Sequence, residues 1–215
     1  MRKKMDDDKR LSIKEMILGC ARDIVESEGF EGLSIRKVAK RAGYTPGSIY
    51  QYFDDKDTLK RALINEGYEA IMRATMKPLN AGTIREEVIE RFKAYTHAAL
   101  RMPQYYKAVM LSDDPLITSM TRVLGSETGE SPKSIKKLES LLEQGVNEGV
   151  FRAVDTNSYA QILWTANFGL TLRLITENPR LDEHAVDRLV ENALNAFFDG
   201  IENKKETKNN EDMDQ

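Results

Sequence analysis

The stretch from Leu33 to Lys56 constrains this chain more than any other, because it packs three helix starts and a tight turn into 24 residues. Ser34 is a good N-cap, and Val38, Ala39 and Ala42 follow it with small apolar groups on one helical face. Gly43 suits the left-handed conformation that ends a helix, and Thr45-Pro46 opens the next one with a capping hydroxyl and a preset φ. Ile49 and Phe53, four apart, supply that second helix with its buried stripe. Gly47, Ser48, Gln51 and Tyr52 then point outward, small or hydrogen-bonding as a helix in a DNA major groove needs. The pattern predicts a helix-turn-helix, followed at Asp55 by the cap of a longer helix carrying Leu59, Leu63, Tyr68 and Ile71 toward Pro78.

Charge supports the same reading once it is resolved along the chain. The 215 residues carry a net charge of −3. Residues 32–61 hold seven basic groups (Arg36, Lys37, Lys40, Arg41, Lys56, Lys60 and Arg61) against Asp54, Asp55 and Asp57, a net of +4, which leaves −7 for the rest. One basic end on an acidic protein favours local phosphate contact. No apolar run reaches the roughly 18 residues a membrane span requires. The N-terminus lacks the apolar core of a signal peptide, and Cys20 stands alone, in keeping with a reducing cytoplasm. Cys20 falls on an apolar helical stripe and reads as a small core residue.

The segment Ala42-Gly43-Tyr44-Thr45-Pro46-Gly47-Ser48-Ile49-Tyr50-Gln51-Tyr52-Phe53, then Lys56 and Leu59, resembles the N-terminal domain of the TetR family of transcriptional regulators. The likeness runs from about Ile13 to Ala62; beyond Leu63 it is one of length and helical layout. It implies an all-α chain: an N-terminal three-helix helix-turn-helix DNA-binding domain and a C-terminal helical ligand-binding and dimerisation domain. In that family the positions matching Arg36, Thr45, Gly47, Ser48, Tyr50, Gln51, Tyr52 and Lys56 supply most DNA contacts; Ser34 and Pro46, at the caps, complete the candidate set. Arg36 and Lys56 each sit in a first helical turn, where a cation opposes the helix dipole by about 0.3–1 kcal/mol unless a phosphate docks there. Gln51 suits adenine, and the Tyr50 and Tyr52 hydroxyls suit phosphate. Tyr50 could equally fill the domain core.

These readings divide the chain into an N-terminal arm at 1–10, a DNA-binding domain at 11–57, a helical domain at 58–201 and a disordered tail at 202–215. Within the first domain a capping box at Ser12-Ile13-Lys14-Glu15 would open a helix to Glu28. Further helices are expected over Thr83–Arg101, from Pro103, over Ile135–Glu148, Thr156–Thr176 and Glu183–Ile201, with a loop at Gly125–Ser134. Thr156–Thr176 is apolar over most of its surface, and a helix of that kind is buried on more than one side, while Glu183–Ile201 carries a broad apolar stripe. Pairing residues 156–201 with a second copy predicts a homodimer on an inverted-repeat operator in double-stranded DNA.

The resemblance also implies a small hydrophobic or amphipathic effector that releases the DNA of a repressor. Phe92, Tyr95, Tyr105, Tyr106, Met110, Trp164 and Phe168 form the candidate pocket, although aromatics at helical spacing also make plain core. Asn167, Thr171 and Arg173 interrupt the apolar run nearby; a surface position suits Arg173. The competing reading is a DNA-binding regulator without a small-molecule effector. No Gly-rich phosphate loop, nucleophile elbow or Cys/His pairing points to an enzyme. His97 and His184 are far apart, so neither a metal nor another cofactor is expected.

Overall fold

The computed structural model describes residues 2–77, 79, 81–124 and 133–203, and among them the chain is helical throughout, with no named strand. The first unit comprises α1 (Arg2–Glu28), a 3-10 turn (Phe30–Gly32), α2 (Ile35–Ala42) and α3 (Pro46–Ile49). Its core is built where the apolar spacing predicts it: Ile17, Ala21 and Val25 of α1 meet Val38, Ile49, Phe53, Leu59 and Leu63. Cys20 is half-buried against this cluster.

Two expectations change here. Residues 2–10 are helical rather than an arm, and the Ser12–Glu15 box caps nothing because it lies inside α1. No Gly or Pro interrupts residues 2–18, so a helix nucleated by the buried half of α1 propagates outward at little cost. Nor does the chain divide at 57/58. The 20-residue α4 (Lys56–Thr75) runs unbroken from the first core, through Leu59 and Leu63, to the second, through Ile71 and Met72.

The second unit arranges α5 (Ile84–Arg101), α6 (Pro103–Met110), α7 (Pro115–Thr121), α8 (Lys133–Asn147), α9 (Thr156–Glu177) and α10 (Glu183–Phe198) around α5, which touches α4, α6, α8, α9 and α10. Thr83 and Glu86 close a capping box at the start of α5. Val88, Phe92, Tyr95 and Ala99 of α5 pack with Leu138, Leu142, Leu163, Val190, Leu194 and Phe198. Along the α5–α10 seam the polar rim is paired: Arg85 binds Asp199 (2.6 Å) and Glu202 (2.8 Å), Lys93 binds Glu191, and His97 Nε2 meets Asp187 (2.7 Å).

The start of the expected tail is ordered. Arg152 N donates to the Ile201 carbonyl at 2.8 Å and Asn203 N to the Val150 carbonyl at 3.0 Å, tying the end of α10 to the turn after α8. Residues 204–215, Pro78 and residues 125–132 of the expected loop lie outside the described residues; Lys133 and Ser134, placed in that loop, open α8. No helix of the described residues is long and apolar enough to cross a membrane.

Candidate DNA interface and effector cleft

The helix-turn-helix is assembled by the residues that predicted it. Ser34 Oγ accepts the Lys37 amide (3.3 Å) at the start of α2. Gly43 ends that helix with φ 72°, a conformation costly to any residue bearing a Cβ. Thr45 Oγ1 then accepts the Ser48 amide (3.3 Å) and lies 2.9 Å from Ser48 Oγ, opening α3. Ile49 and Phe53 anchor this one-turn helix in the core.

What remains outside is the candidate surface. Arg36, Thr45, Pro46, Gly47, Tyr50, Gln51 and Lys56 are exposed; Ser34, Ser48 and Tyr52 are half-buried. Tyr50 is 52% exposed, which excludes the core-filling role. Gly47 is informative because nothing in the protein demands it. A Cβ built there would meet nothing nearer than Thr45 Oγ1 at 3.9 Å, and its φ is not in the left-handed region. A missing side chain without an internal reason fits close backbone approach by an outside partner.

The basic patch is smaller than its residue count. Lys37 pairs with Glu28, Arg41 with Asp23 (2.8 Å) and Arg61 with Asp114 (3.4 Å). Arg36, Lys40, Lys56 and Lys60 have no ion-pair partner among the described residues. Lys56 is the first residue of α4, directly after the Asp55 cap. Asp55 Oδ1 accepts the Thr58 amide at 2.6 Å, and that bond holds its carboxyl below the usual carboxylate range. Of the free cations, Arg36 lies in the first turn of α2 and Lys56 in the first turn of α4, whereas Lys60 faces Glu26, Glu28 and Glu31 across a surface depression.

The expected pocket aromatics separate into different environments. Phe92, Tyr95 and Trp164 line a cleft at the far end of α4, with Met72, Thr75, Met76, Val88, Arg91 and Leu138. Its enclosed volume is about 40 Å³, room for a few waters and an order of magnitude below a typical ligand pocket. Tyr106 lies behind the cleft, its hydroxyl 3.3 Å from that of Tyr95, and Phe168 stacks on its ring at 6.4 Å. Burial raises the Tyr95 and Tyr106 pKa values above the ordinary phenol range. Met110 packs beside Ile64, Val109 and Ile117. Tyr105 faces the first unit instead, edge-to-face with Phe30 (5.4 Å) and pressed on Gly67.

Next to these rings lies a buried polar cluster. Thr96 Oγ1 donates to Asn167 Oδ1 (3.4 Å) and lies 3.1 Å from Thr171 Oγ1, while Asn167 Nδ2 has no partner among the described residues. Sequence periodicity named the aromatic wall and missed the α4 wall. Met72, Thr75 and Met76 do share a three- and four-residue spacing, but nothing in it tells a cleft from plain core. Arg173 is exposed and paired with Glu177, and the described residues hold no group of three or more His, Cys, Asp or Glu placed to bind a metal.

A one-turn helix capped at its start by Thr45, presenting hydrogen-bonding side chains beside unpaired cations, has the form of a helix-turn-helix DNA-binding domain. Residues 17–63 match the family model for bacterial regulatory proteins of the tetR family. The HTH-type transcriptional regulator RutR of Escherichia coli K12 is 24% identical over 196 residues, covering 87% of this chain and 90% of that protein. UidR of the same strain is 28% identical over 83 residues, 39% of this chain and 42% of its own. The crystal structure of a TetR-family transcriptional regulator from Pectobacterium atrosepticum shares the fold, with a TM-score of 0.65 at 20% identity, covering 92% of this chain and 97% of that one. Residues 17–63 thus form a DNA-binding domain of the tetR-family type, and over most of its length the chain is similar to transcriptional regulators.

Proposed function

We propose that the protein is a repressor that binds an inverted-repeat operator as a homodimer, with Thr45, Gly47, Ser48, Tyr50, Gln51 and Tyr52 entering the major groove. Arg36 and Lys56 hold phosphates at the two flanks, and the Ser34 and Pro46 caps keep the helices in place. The observation that carries this reading is the coincidence of unpaired cations, exposed hydrogen-bonding groups and an internally unneeded Gly47 on one surface. A single such surface reads only a few base pairs, so two half-sites are required for useful specificity. The second copy is provided for by α9 and α10, whose outer faces leave Ile162 45% and Leu189 40% exposed. Gly169 lies on the same side of α9 with no atom near a built Cβ, so the protomer's own packing does not require a glycine there either. Such a regulator works where the DNA is, in the cytoplasm.

Release by a small hydrophobic or amphipathic effector is supported by the position of the cleft. Met72, Thr75 and Met76 line it from one end of α4, and Lys56 stands at the other, about 30 Å away at 1.5 Å per residue. A ligand separating the methionines from Trp164 would shift α4 and with it the phosphate contact at Lys56. The small enclosed volume favours the second reading, a regulator without an effector. The two are distinguished by titrating 1-anilinonaphthalene-8-sulfonate and following energy transfer from Trp164, the only tryptophan. Saturable transfer at one probe per protomer supports the effector reading; no transfer supports the effector-free one. Selection of duplexes from a random library by the native chain tests the DNA-binding proposal itself. An inverted repeat supports it; residual binding without a motif, fading with salt, overturns it.

A further inference from the structure

α3 is too short to hold its own C-terminal end. The amides of Tyr50, Gln51, Tyr52 and Phe53 donate to the carbonyls of Pro46, Ser48, Ile49 and Ile49. No backbone amide of the described residues donates to the Gln51 carbonyl. That carbonyl lies in the turn directly after α3, two residues past Ile49. It is taken by a side chain from 41 positions earlier: Arg10 Nη2, on the outer half of α1, donates to it at 3.2 Å. The same guanidinium lies 5.8 Å from the centre of the Tyr52 ring, and one turn further along α1 Lys14 Nζ lies 5.4 Å from the centre of the Phe53 ring. A cation beside the C-terminal end of a helix also suits the sign of its dipole.

We propose that Arg10 is a positioning residue for base recognition: it fixes the backbone of Gln51 and the ring of Tyr52, the last two groups the recognition turn offers to DNA. Arg10, on the outer half of α1, is thereby part of the DNA-reading apparatus. This inference rests on the proposed contact of residues 45–52 with DNA.

The test uses the duplex selected by the native chain, copies of it altered at single half-site positions, and an unrelated duplex. Arg10→Ala and Arg10→Lys are titrated beside the native full-length protein at four salt concentrations. Arg10→Ala is expected to bind the selected duplex about 5- to 10-fold more weakly, the unrelated duplex unchanged, and to discriminate less at the positions that Gln51→Ala also relaxes. The dependence of log K on log salt keeps its slope, and Arg10→Lys, which retains a donor and a cation, restores part of the discrimination. Equal weakening on every duplex with a slope smaller by about 1.8, one lost phosphate contact per protomer of the dimer, would make Arg10 a phosphate contact and overturn the proposal. Unchanged discrimination in Arg10→Ala overturns it too. Circular dichroism melting accompanies both variants, and a melting point lowered in proportion to binding assigns the effect to folding, which also overturns it. A native chain that selects no motif contradicts the DNA-reading surface itself, a failure seen before any Arg10 variant is compared.

Discussion

The hydroxyl of Tyr105 has no partner among the described residues although the side chain is 5% exposed. The ring is well used, since it fills the space left by Gly67 and meets Phe30 edge-on. The oxygen is not, and an unpaired buried polar group costs about 1–3 kcal/mol. Tyr105→Phe is therefore expected to raise the unfolding free energy by about 1 kcal/mol, read as a higher urea midpoint with an unchanged slope. Burial pushes this tyrosine up to about 12, against about 10 in an unfolded chain. Between those two values the unfolded state loses a proton that the folded state keeps, so native stability is level below pH 10 and falls above it. The fall should be shallower in Tyr105→Phe; an unchanged profile would place the alkaline sensitivity elsewhere. Neither the cost nor the sign is visible in sequence, where Tyr105 and Tyr106 are neighbours with equal claims to a pocket.

At the level of single elements, the legible parts were those decided locally. Ser34, Gly43, Thr45 and Pro46 announce helix ends because capping depends on residues three or four apart, and all four act as expected. Thr45→Ala should cost about 1 kcal/mol of stability and weaken operator binding further by loosening α3; loss of stability with unchanged affinity would separate the cap from the interface. The extent of α1 was not legible, because its outer half is held at Gln51, far along the chain. The cleft at the far end of α4 was half legible for a related reason: helical period gives the face of α5 and α9 that is buried, not the neighbour that buries it. Gly67 shows the same limit. A Cβ there would come within 2.4 Å of the Tyr105 ring, so Gly67→Ala must displace α6 from α4. Destabilisation of roughly 1–3 kcal/mol is expected, with thermal unfolding in two resolved steps in place of one as the test of whether this contact couples the units.

For the whole molecule, the main consequence is that one helix spans both tasks. α4 starts beside the recognition surface with Lys56 and ends in the cleft with Met72 and Thr75, so any change in how α5 and α9 hold its far end reaches the DNA side as a rotation or shift. In the proposed dimer, pairing through α9 and α10 sets the separation of the two recognition turns. Ile162→Glu, which places a charge on the exposed apolar face of α9, is expected to turn the dimer into a folded monomer by sedimentation and to lower operator affinity at least 100-fold. A monomer that keeps full affinity would refute the two-half-site account. The most direct test of the central claim compares Gln51→Ala with Lys56→Ala on the selected duplex and on every single-base change of one half-site. Gln51→Ala should erase discrimination at one symmetric position at a cost of about 1–3 kcal/mol there, and Lys56→Ala should weaken all duplexes alike while lowering the salt slope by about 1.8, one phosphate contact from each protomer. If instead both variants weaken every duplex equally, or neither changes binding, the surface from Thr45 to Lys56 does not read DNA and the account fails.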